Sequence, residues 1–173
     1  ADMDFDTAFE RLIGHEGGFQ ALHSDKGNWT GGRVGSGQLK GTKFGISAAS
    51  YPGEDIEHLT LERAREIYRR DYWGPAGCDL VPGPVRFVLF SIAVHTSAPR
   101  KPTTAIRMLQ RAAGAVDDGV IGRDTIMAVQ SLEPWRLRGR LLGAWLDYIN
   151  NGPSWVDFGR GWAQRIAEIL QEK

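Results

Sequence analysis

The sequence predicts a mainly α-helical fold with one glycine-rich interruption after its first helix, a loop or short β-hairpin. Three observations lead there. Apolar residues recur at spacings of three and four along most of the chain, the period of a helix with one buried face. Cap residues and prolines punctuate those stretches where helices should begin and end. Between residues 26 and 46 the pattern breaks, because Gly27, Gly31, Gly32, Gly35, Gly37, Gly41 and Gly45 crowd together. Each glycine costs a helix roughly 1 kcal/mol relative to alanine, so no helix survives there.

Taken in order, Phe5, Phe9, Leu12 and Ile13 form the stripe of a first helix. Continuing that stripe by three or four residues reaches Glu16, and Gly17-Gly18 lets the backbone leave the helix behind it. Thr60 reads as an N-cap, with Leu61, Ala64, Ile67, Tyr68 and Tyr72 on the buried face of the next helix. Pro84 suits the first turn of the helix after that. From Val85 to Val94 this helix is apolar on all sides except Arg86 and Ser91, which predicts a central position. Ala105, Ile106, Leu109 and Ala113 mark another helix that Gly114 can close. Two more helices are expected over 124–132 and 135–149. A last one over 155–171 carries Trp155, Phe158, Trp162, Ile166, Ile169 and Leu170 inward.

A chain of 173 residues with 42% apolar content supports one domain with a sizeable core, residues 1–173, into which a helical half from about residue 84 is integrated. The 21 basic and 21 acidic residues cancel, which argues against nucleic acid as the main partner. One cysteine, Cys78, excludes an intrachain disulfide and reads as a small buried hydrophobe. No stretch approaches the roughly 18 apolar residues of a membrane span. The N-terminal Ala-Asp-Met-Asp lacks the layout of a secretory signal, so either a leader has been removed or export uses another route. Clustered His or Cys ligands are absent, so no metal and no cofactor is expected. The Asp117-Asp118-Gly119 triplet lacks the acidic spacing of a calcium-binding EF-hand loop. Arg136, Arg138 and Arg140 read as a solvated helix face, with an anionic-surface contact as the alternative. A monomer is expected.

Glu16 is the residue with most chemistry in it. A carboxyl group facing an apolar side has its pKa raised by desolvation, and one still protonated near neutral pH can give a proton to a leaving group. The competing reading is a helix-end glutamate bonded to a backbone N–H or an arginine. Beyond Glu16 come Gly-Gly-aromatic, Asp25 and then Thr42-Lys43-Phe44-Gly45-Ile46. That order resembles the muramidases of glycoside hydrolase family 108, the phage endolysins and prophage-type lysozymes also called secretion activators. Ala64-x-x-Ile67-Tyr68-x-x-Asp71-Tyr72-Trp73 is similar to that family's second block, and Leu109-Gln110 with Asp118-Gly119-x-Ile121-Gly122-x-x-Thr125 to its third. Gly161-Trp162 with Arg165 resembles its C-terminal signature, so the likeness spans about residues 5 to 170.

The resemblance implies a lysozyme-like fold and hydrolysis of the β-1,4 bond between N-acetylmuramic acid and N-acetylglucosamine in peptidoglycan glycan strands. It implies Glu16 as the acid, Asp25 as the second carboxylate and Thr42 as a side chain that holds the attacking water, with inversion of configuration. An inverting pair should stand roughly 6.5–9.5 Å apart, a retaining pair nearer 5–5.5 Å. Residues 26–41 look like an insertion relative to the family's compact loop. Without Glu16, Asp25 would read as a turn residue beside Gly27, and Thr42 as ordinary packing.

Aromatic rings bury the apolar faces of sugars, so Trp29, Tyr72, Trp73 and Trp155 are candidate glycan contacts, although Tyr72 continues a buried stripe and reads first as structural. Trp29 is the best placed, lacking a stripe to bury it. Relatives tend to carry Asp where Ser91 stands, Asn at His95 and Gly at Ser97. Ser91 and His95, four apart on one helix face, could form a polar pair lining the cleft, or His95 could be a satisfied core group. The Gln110–Thr125 block also resembles wall-binding helical repeats, or is a helix–turn–helix corner with Gly119 at positive φ. Such a protein would be made in the bacterial cytoplasm and act in the periplasm or wall after export or holin-type release. The alternatives are a non-catalytic peptidoglycan-binding module and an interaction protein acting in secretion.

Overall fold

A computed structural model describes residues 3–14, 17–153, 155 and 159–172. Glu16, the expected acid, and Phe158, expected to point inward, lie outside the described residues.

Helix α1 (Phe5–Ile13) starts at Asp4, whose carboxylate accepts the Thr7 N–H at 2.8 Å, and buries Phe5, Ala8, Phe9 and Leu12. It ends sooner than the sequence suggests. Gly14, at φ +51°, turns the chain out and donates its N–H to the Glu10 carbonyl.

The glycine-rich segment becomes turns and a small hairpin. After a 3₁₀ turn (Lys26–Asn28), residues 29–39 fold back on themselves through a Trp29–Leu39 bridge and the bond from Thr30 N–H to Gln38 O. Strands β1 (Thr42–Lys43) and β2 (Ile46–Ser47) pair antiparallel, Thr42 opposite Ser47 and Lys43 opposite Ile46. Their two-residue turn, Phe44-Gly45, has φ of +52° and +74°, the twist that matches a right-handed hairpin. A Cβ on Gly45 would also stand 2.5 Å from the Tyr68 hydroxyl, so glycine is required there twice over.

Thr60 caps helix α2 (Leu61–Tyr68) by accepting the Arg63 N–H at 3.1 Å. The helix then widens into a π turn (Arg69–Trp73), closed by Gly74 N–H to Arg69 O. The wider turn brings Asp71, Tyr72 and Trp73 inward together. Leu61, in the first turn, is exposed rather than part of the stripe. Helix α3 (Gly83–Thr96), with Pro84 in its first turn, is the central helix, buried at Val85 and continuously from Phe87 to Ala93.

Helix α4 (Thr103–Ala113) ends at Gly114, and α5 (Arg123–Gln130), α6 (Pro134–Asn151) and α7 (Arg160–Leu170) come after it. Helix α6 packs across α3 and α4, with α1 on α3 and α7 on α6. A contiguous apolar core runs from Phe5 through Trp73, Phe90 and Trp145 to Ile169. Cys78 is buried within it, and that burial pushes its thiol pKa up. The α4–α5 connection is a corner: the buried Gln110 amide faces Asp118 Oδ1, Val120 O and Thr125 Oγ1, and Gly119 (φ +78°) donates to Gln110 Oε1.

Two further expectations change. Leu170 is exposed near the chain's end. Arg138 is not a solvated residue: its side chain is only 11% exposed and donates to Ile169 O at 2.6 Å, tying α6 to α7. Arg136 and Arg140 are exposed.

Candidate active site

A groove of about 310 Å³ opens where α1 ends. Leu12 and Ile13 form one side, the Phe44-Gly45 turn and Tyr68 another, and Val94, His95 and Arg165 bring α3 and α7 to it. The Tyr68 hydroxyl donates to Phe44 O at 2.8 Å, so the hairpin turn is pinned to α2 at the rim. Burial raises the Tyr68 phenol pKa, which keeps that hydroxyl a donor. Gly17, on the far side of Glu16, packs so closely that a Cβ there would lie 3.1 Å from the Phe44 ring. Both described neighbours of the His15–Glu16 step are therefore near this groove: Gly14 lines the adjoining groove with Ile13 and Arg165, and Gly17 abuts the Phe44 ring.

Asp25 and Thr42 belong to one hydrogen-bonded chain. Asp25 caps the 3₁₀ turn, its Oδ1 accepting the Gly27 N–H at 2.9 Å, as a turn residue would. Its Oδ2 also receives Gln20 Nε2 at 3.4 Å. The Thr42 hydroxyl donates to Asn28 Oδ1 at 2.7 Å, and Asn28 Nδ2 donates to Gln20 Oε1 at 2.7 Å and Leu22 O at 3.0 Å. Amide orientations follow from these partners. Leu22 O can only accept, which fixes Asn28 Nδ2 toward it. Gln20 Oε1 accepts from Asn28 and from Leu22 N–H at 3.0 Å, which leaves Gln20 Nε2 facing Asp25. Backbone bonds between Gln20 and Thr42 in both directions, 3.0 and 2.8 Å, lock the two segments together. Asp25 is exposed, Thr42 half-buried and Asn28 0% exposed, so a buried amide ties together the two polar groups nearer solvent. Neither Asp25 nor Thr42 lines the groove, although Thr42 is two residues from Phe44, which does.

His95 reaches the groove, but not through Ser91's hydroxyl. Its Nδ1 lies 2.6 Å from the Ser91 carbonyl, and its Nε2 lies 3.3 Å from Arg165 Nη1. A carbonyl only accepts, so the ring carries a proton on Nδ1. The imidazole sits beside the Trp145 and Trp162 rings, with centroids 5.8 and 6.3 Å away.

Three expected glycan contacts are corrected. Trp73 is 1% exposed, packed edge-on against Phe5 and Phe90 at 5.5 and 5.3 Å. Tyr72 is buried beside Tyr68 by the same π turn. Ser91 is fully buried, and its hydroxyl finds no hydrogen-bond partner among the described residues. No sugar can touch these side chains without opening the core. Trp29 is half-buried, its indole N–H given to His23 O at 2.9 Å and its ring meeting His23 edge-on. Trp155 is exposed.

Sequence reasoning misses Gln20 and Asn28, since only the fold places them between Asp25 and Thr42. Arg165 is visible in the sequence as part of a signature, without a role. Among the described residues no helix is long and apolar enough to cross a membrane, and no cluster of His, Cys, Asp and Glu could hold a metal ion.

Comparison with known proteins agrees with this architecture. No curated protein matches the chain. Among solved structures it is similar to Brucella abortus SagA, with 28% identity, 95% of this chain and 90% of that chain covered, and a TM-score of 0.77. The fold is the lysozyme-like one, mainly helical with a two-stranded hairpin. The family model described as glycosyl hydrolase 108 matches residues 9–96, from α1 through the groove to the end of α3. The chain is a glycoside hydrolase and belongs to the glycosyl hydrolase 108 family.

Proposed function

We propose that the chain hydrolyses peptidoglycan at the β-1,4 bond between N-acetylmuramic acid and N-acetylglucosamine, and that it does so in bacterial cell lysis. The observation that carries this reading is the chain Thr42–Asn28–Gln20–Asp25, which fixes a carboxylate relative to a hydroxyl two residues from the Phe44 wall of the groove.

Glycoside hydrolysis needs an acid for the leaving oxygen and a second group that meets the developing charge or activates water. Glu16 supplies the proton. Asp25 acts as base on a water, its remaining lone pairs available beyond the Gly27 and Gln20 donors. The Thr42 hydroxyl proton is committed to Asn28, so Thr42 can only accept from that water, which turns the water's lone pair toward the sugar. A water between base and substrate gives inversion, with the carboxyls roughly 6.5–9.5 Å apart. Trp29 is the favoured aromatic for a sugar face, and His95 a positioning group for the groove.

The protein works as a monomer on glycan strands. It is made in the bacterial cytoplasm and reaches the periplasm or wall by export or holin-type release.

Digestion of purified sacculi, borohydride reduction and mass spectrometry of the fragments test the bond. Muramitol ends are expected, and N-acetylglucosaminitol ends would overturn the assignment. Proton NMR of the first product anomer on a soluble oligosaccharide should show the α form.

A further inference from the structure

Asp71 gathers two guanidiniums on one buried carboxylate. Arg70 binds it as a fork, Nε to Oδ1 and Nη2 to Oδ2, both at 2.8 Å. The Tyr51 hydroxyl donates to Oδ2 at 2.8 Å, and Arg100 Nε stands 3.6 Å from Oδ1. Arg70 is half-exposed and Arg100 well exposed, so the two arginines and Asp71 present one net positive charge at the surface. Glu66, one turn before Arg70, pairs with Arg63, as does Glu54.

Both cations are set in direction as well as place. A guanidinium is planar, so binding Asp71 through the Nε–Nη2 edge directs the Nη1–Nη2 edge of Arg70 away from it. That edge carries a parallel pair of N–H groups with the spacing of two carboxylate oxygens. Arg100 is held through its backbone. It adopts φ +62°, the left-handed region that side chains disfavour, and is kept there by its N–H to Asp71 O at 2.9 Å and by the Ala98–Lys101 bridge. Three walls of the groove lead to this cluster. Tyr72 lies one turn beyond Tyr68 with its ring 5.7 Å away, Arg100 follows Val94 and His95 past the end of α3, and Tyr51 follows β2 of the hairpin.

We propose that Arg70 and Arg100, set on Asp71, form a rim subsite that holds a carboxylate on the muramyl branch of the glycan strand while the sugars occupy the groove. This deepens the peptidoglycan reading and rests on it. The carboxylate has two sources in that polymer: the lactyl group of an unsubstituted muramic acid, or the stem peptide where the lactyl group is amidated.

Calorimetry on the Glu16→Gln protein separates binding from turnover. Four probes are used: the N-acetylglucosamine–N-acetylmuramic acid disaccharide as free acid and as lactyl methyl ester, and the disaccharide bearing a stem tripeptide with its carboxylates free or amidated. A lactyl source makes the free disaccharide acid bind more tightly than its ester, and a stem source makes the free tripeptide form bind more tightly than its amide. The preference should be about 10-fold. Arg100→Gln alters an exposed side chain and should cut that preference to about threefold or less with the melting temperature unchanged. Arg70→Lys keeps the charge and loses the fork, so the preference should fall there too, whatever the variant does to the melting temperature. Equal binding of free and masked probes overturns the proposal. A preference that survives both variants overturns it as well, because the carboxylate is then held elsewhere and the Arg70–Asp71 pair serves only the fold. Failure of the hydrolase reading looks different, because sacculus turnover would survive Glu16→Gln while the calorimetric preference persisted.

Discussion

Asn28→Ala is the most informative single perturbation outside the proposed catalytic residues. The Asn28 side chain is 0% exposed and makes three hydrogen bonds, to the Thr42 hydroxyl (2.7 Å), Gln20 Oε1 (2.7 Å) and Leu22 O (3.0 Å). Truncation removes all three. Gln20 Oε1 keeps the Leu22 N–H and the Thr42 hydroxyl can turn to water, so two of the three partners are partly rescued. Leu22 O loses the only side-chain donor described for it. Leu22 O keeps the Asp25 backbone N–H at 3.1 Å, so at about 0.5–1.5 kcal/mol per bond the three losses come to about 2–4 kcal/mol. For a chain of this size the melting temperature should then fall by roughly 5–15 °C. The rate should fall as well, on the order of 10-fold or more at a temperature where the variant is fully folded, because Thr42 and Gln20 are no longer fixed. Thermal denaturation followed by circular dichroism, beside reducing-end release from sacculi, reads both effects. A melting temperature within about 2 °C of wild type together with an unchanged rate would refute the argument that this amide organises the site.

Other outcomes rest on the same geometry. Asp71 is 1% exposed, bound by both Arg70 Nε and Nη2 at 2.8 Å and by the Tyr51 hydroxyl at 2.8 Å. The Arg70 hydrogen bonds hold its pKa below the usual carboxylate range against the opposing effect of burial. Its contribution is therefore present above the unfolded value of about 3.9 and lost as pH falls through the lower folded value. Asp71→Asn should cost about 1–3 kcal/mol at neutral pH, since Arg70 is solvent-accessible, and the gap from wild type should close in melts below about pH 4. Trp73→Phe should destabilise by about 1–3 kcal/mol in urea titrations yet leave KM for glycan unchanged, whereas Trp29→Ala should raise KM. Gly45→Ala must adopt positive φ and displace the Tyr68 hydroxyl, so stability should fall by about 1–3 kcal/mol and activity with it.

The helices are legible in the sequence because their signals are local. Thr60, Pro84 and Gly114 each mark a boundary through the backbone chemistry of one or two residues, and the apolar run from Val85 to Val94 announces a buried helix wherever it packs. What fails is extrapolation of a period past a break. The π turn at Arg69–Trp73 inserts a residue that rotates Trp73 into the core beside Tyr72, which the stripe of α2 already places there. An aromatic just past a helix looks exposed in sequence when only the turn geometry decides its side. At the site, Asp25 and Thr42 can be nominated by residue type and order, but Asn28 and Gln20 cannot. Their importance comes from a loop closure that puts Gln20 against Thr42 across the hairpin. His95 and Ser91 show the same limit, since helical spacing puts them on one face yet the bond goes to a backbone carbonyl.

Reducing-end release from purified sacculi by Glu16→Gln, beside wild type at neutral pH, tests the central claim most directly. The substitution keeps the side chain's shape and removes its titrating proton. A fall on the order of 100- to 10,000-fold with an unchanged melting temperature is the predicted result. Release near the wild-type rate would contradict the assignment of Glu16 as the acid.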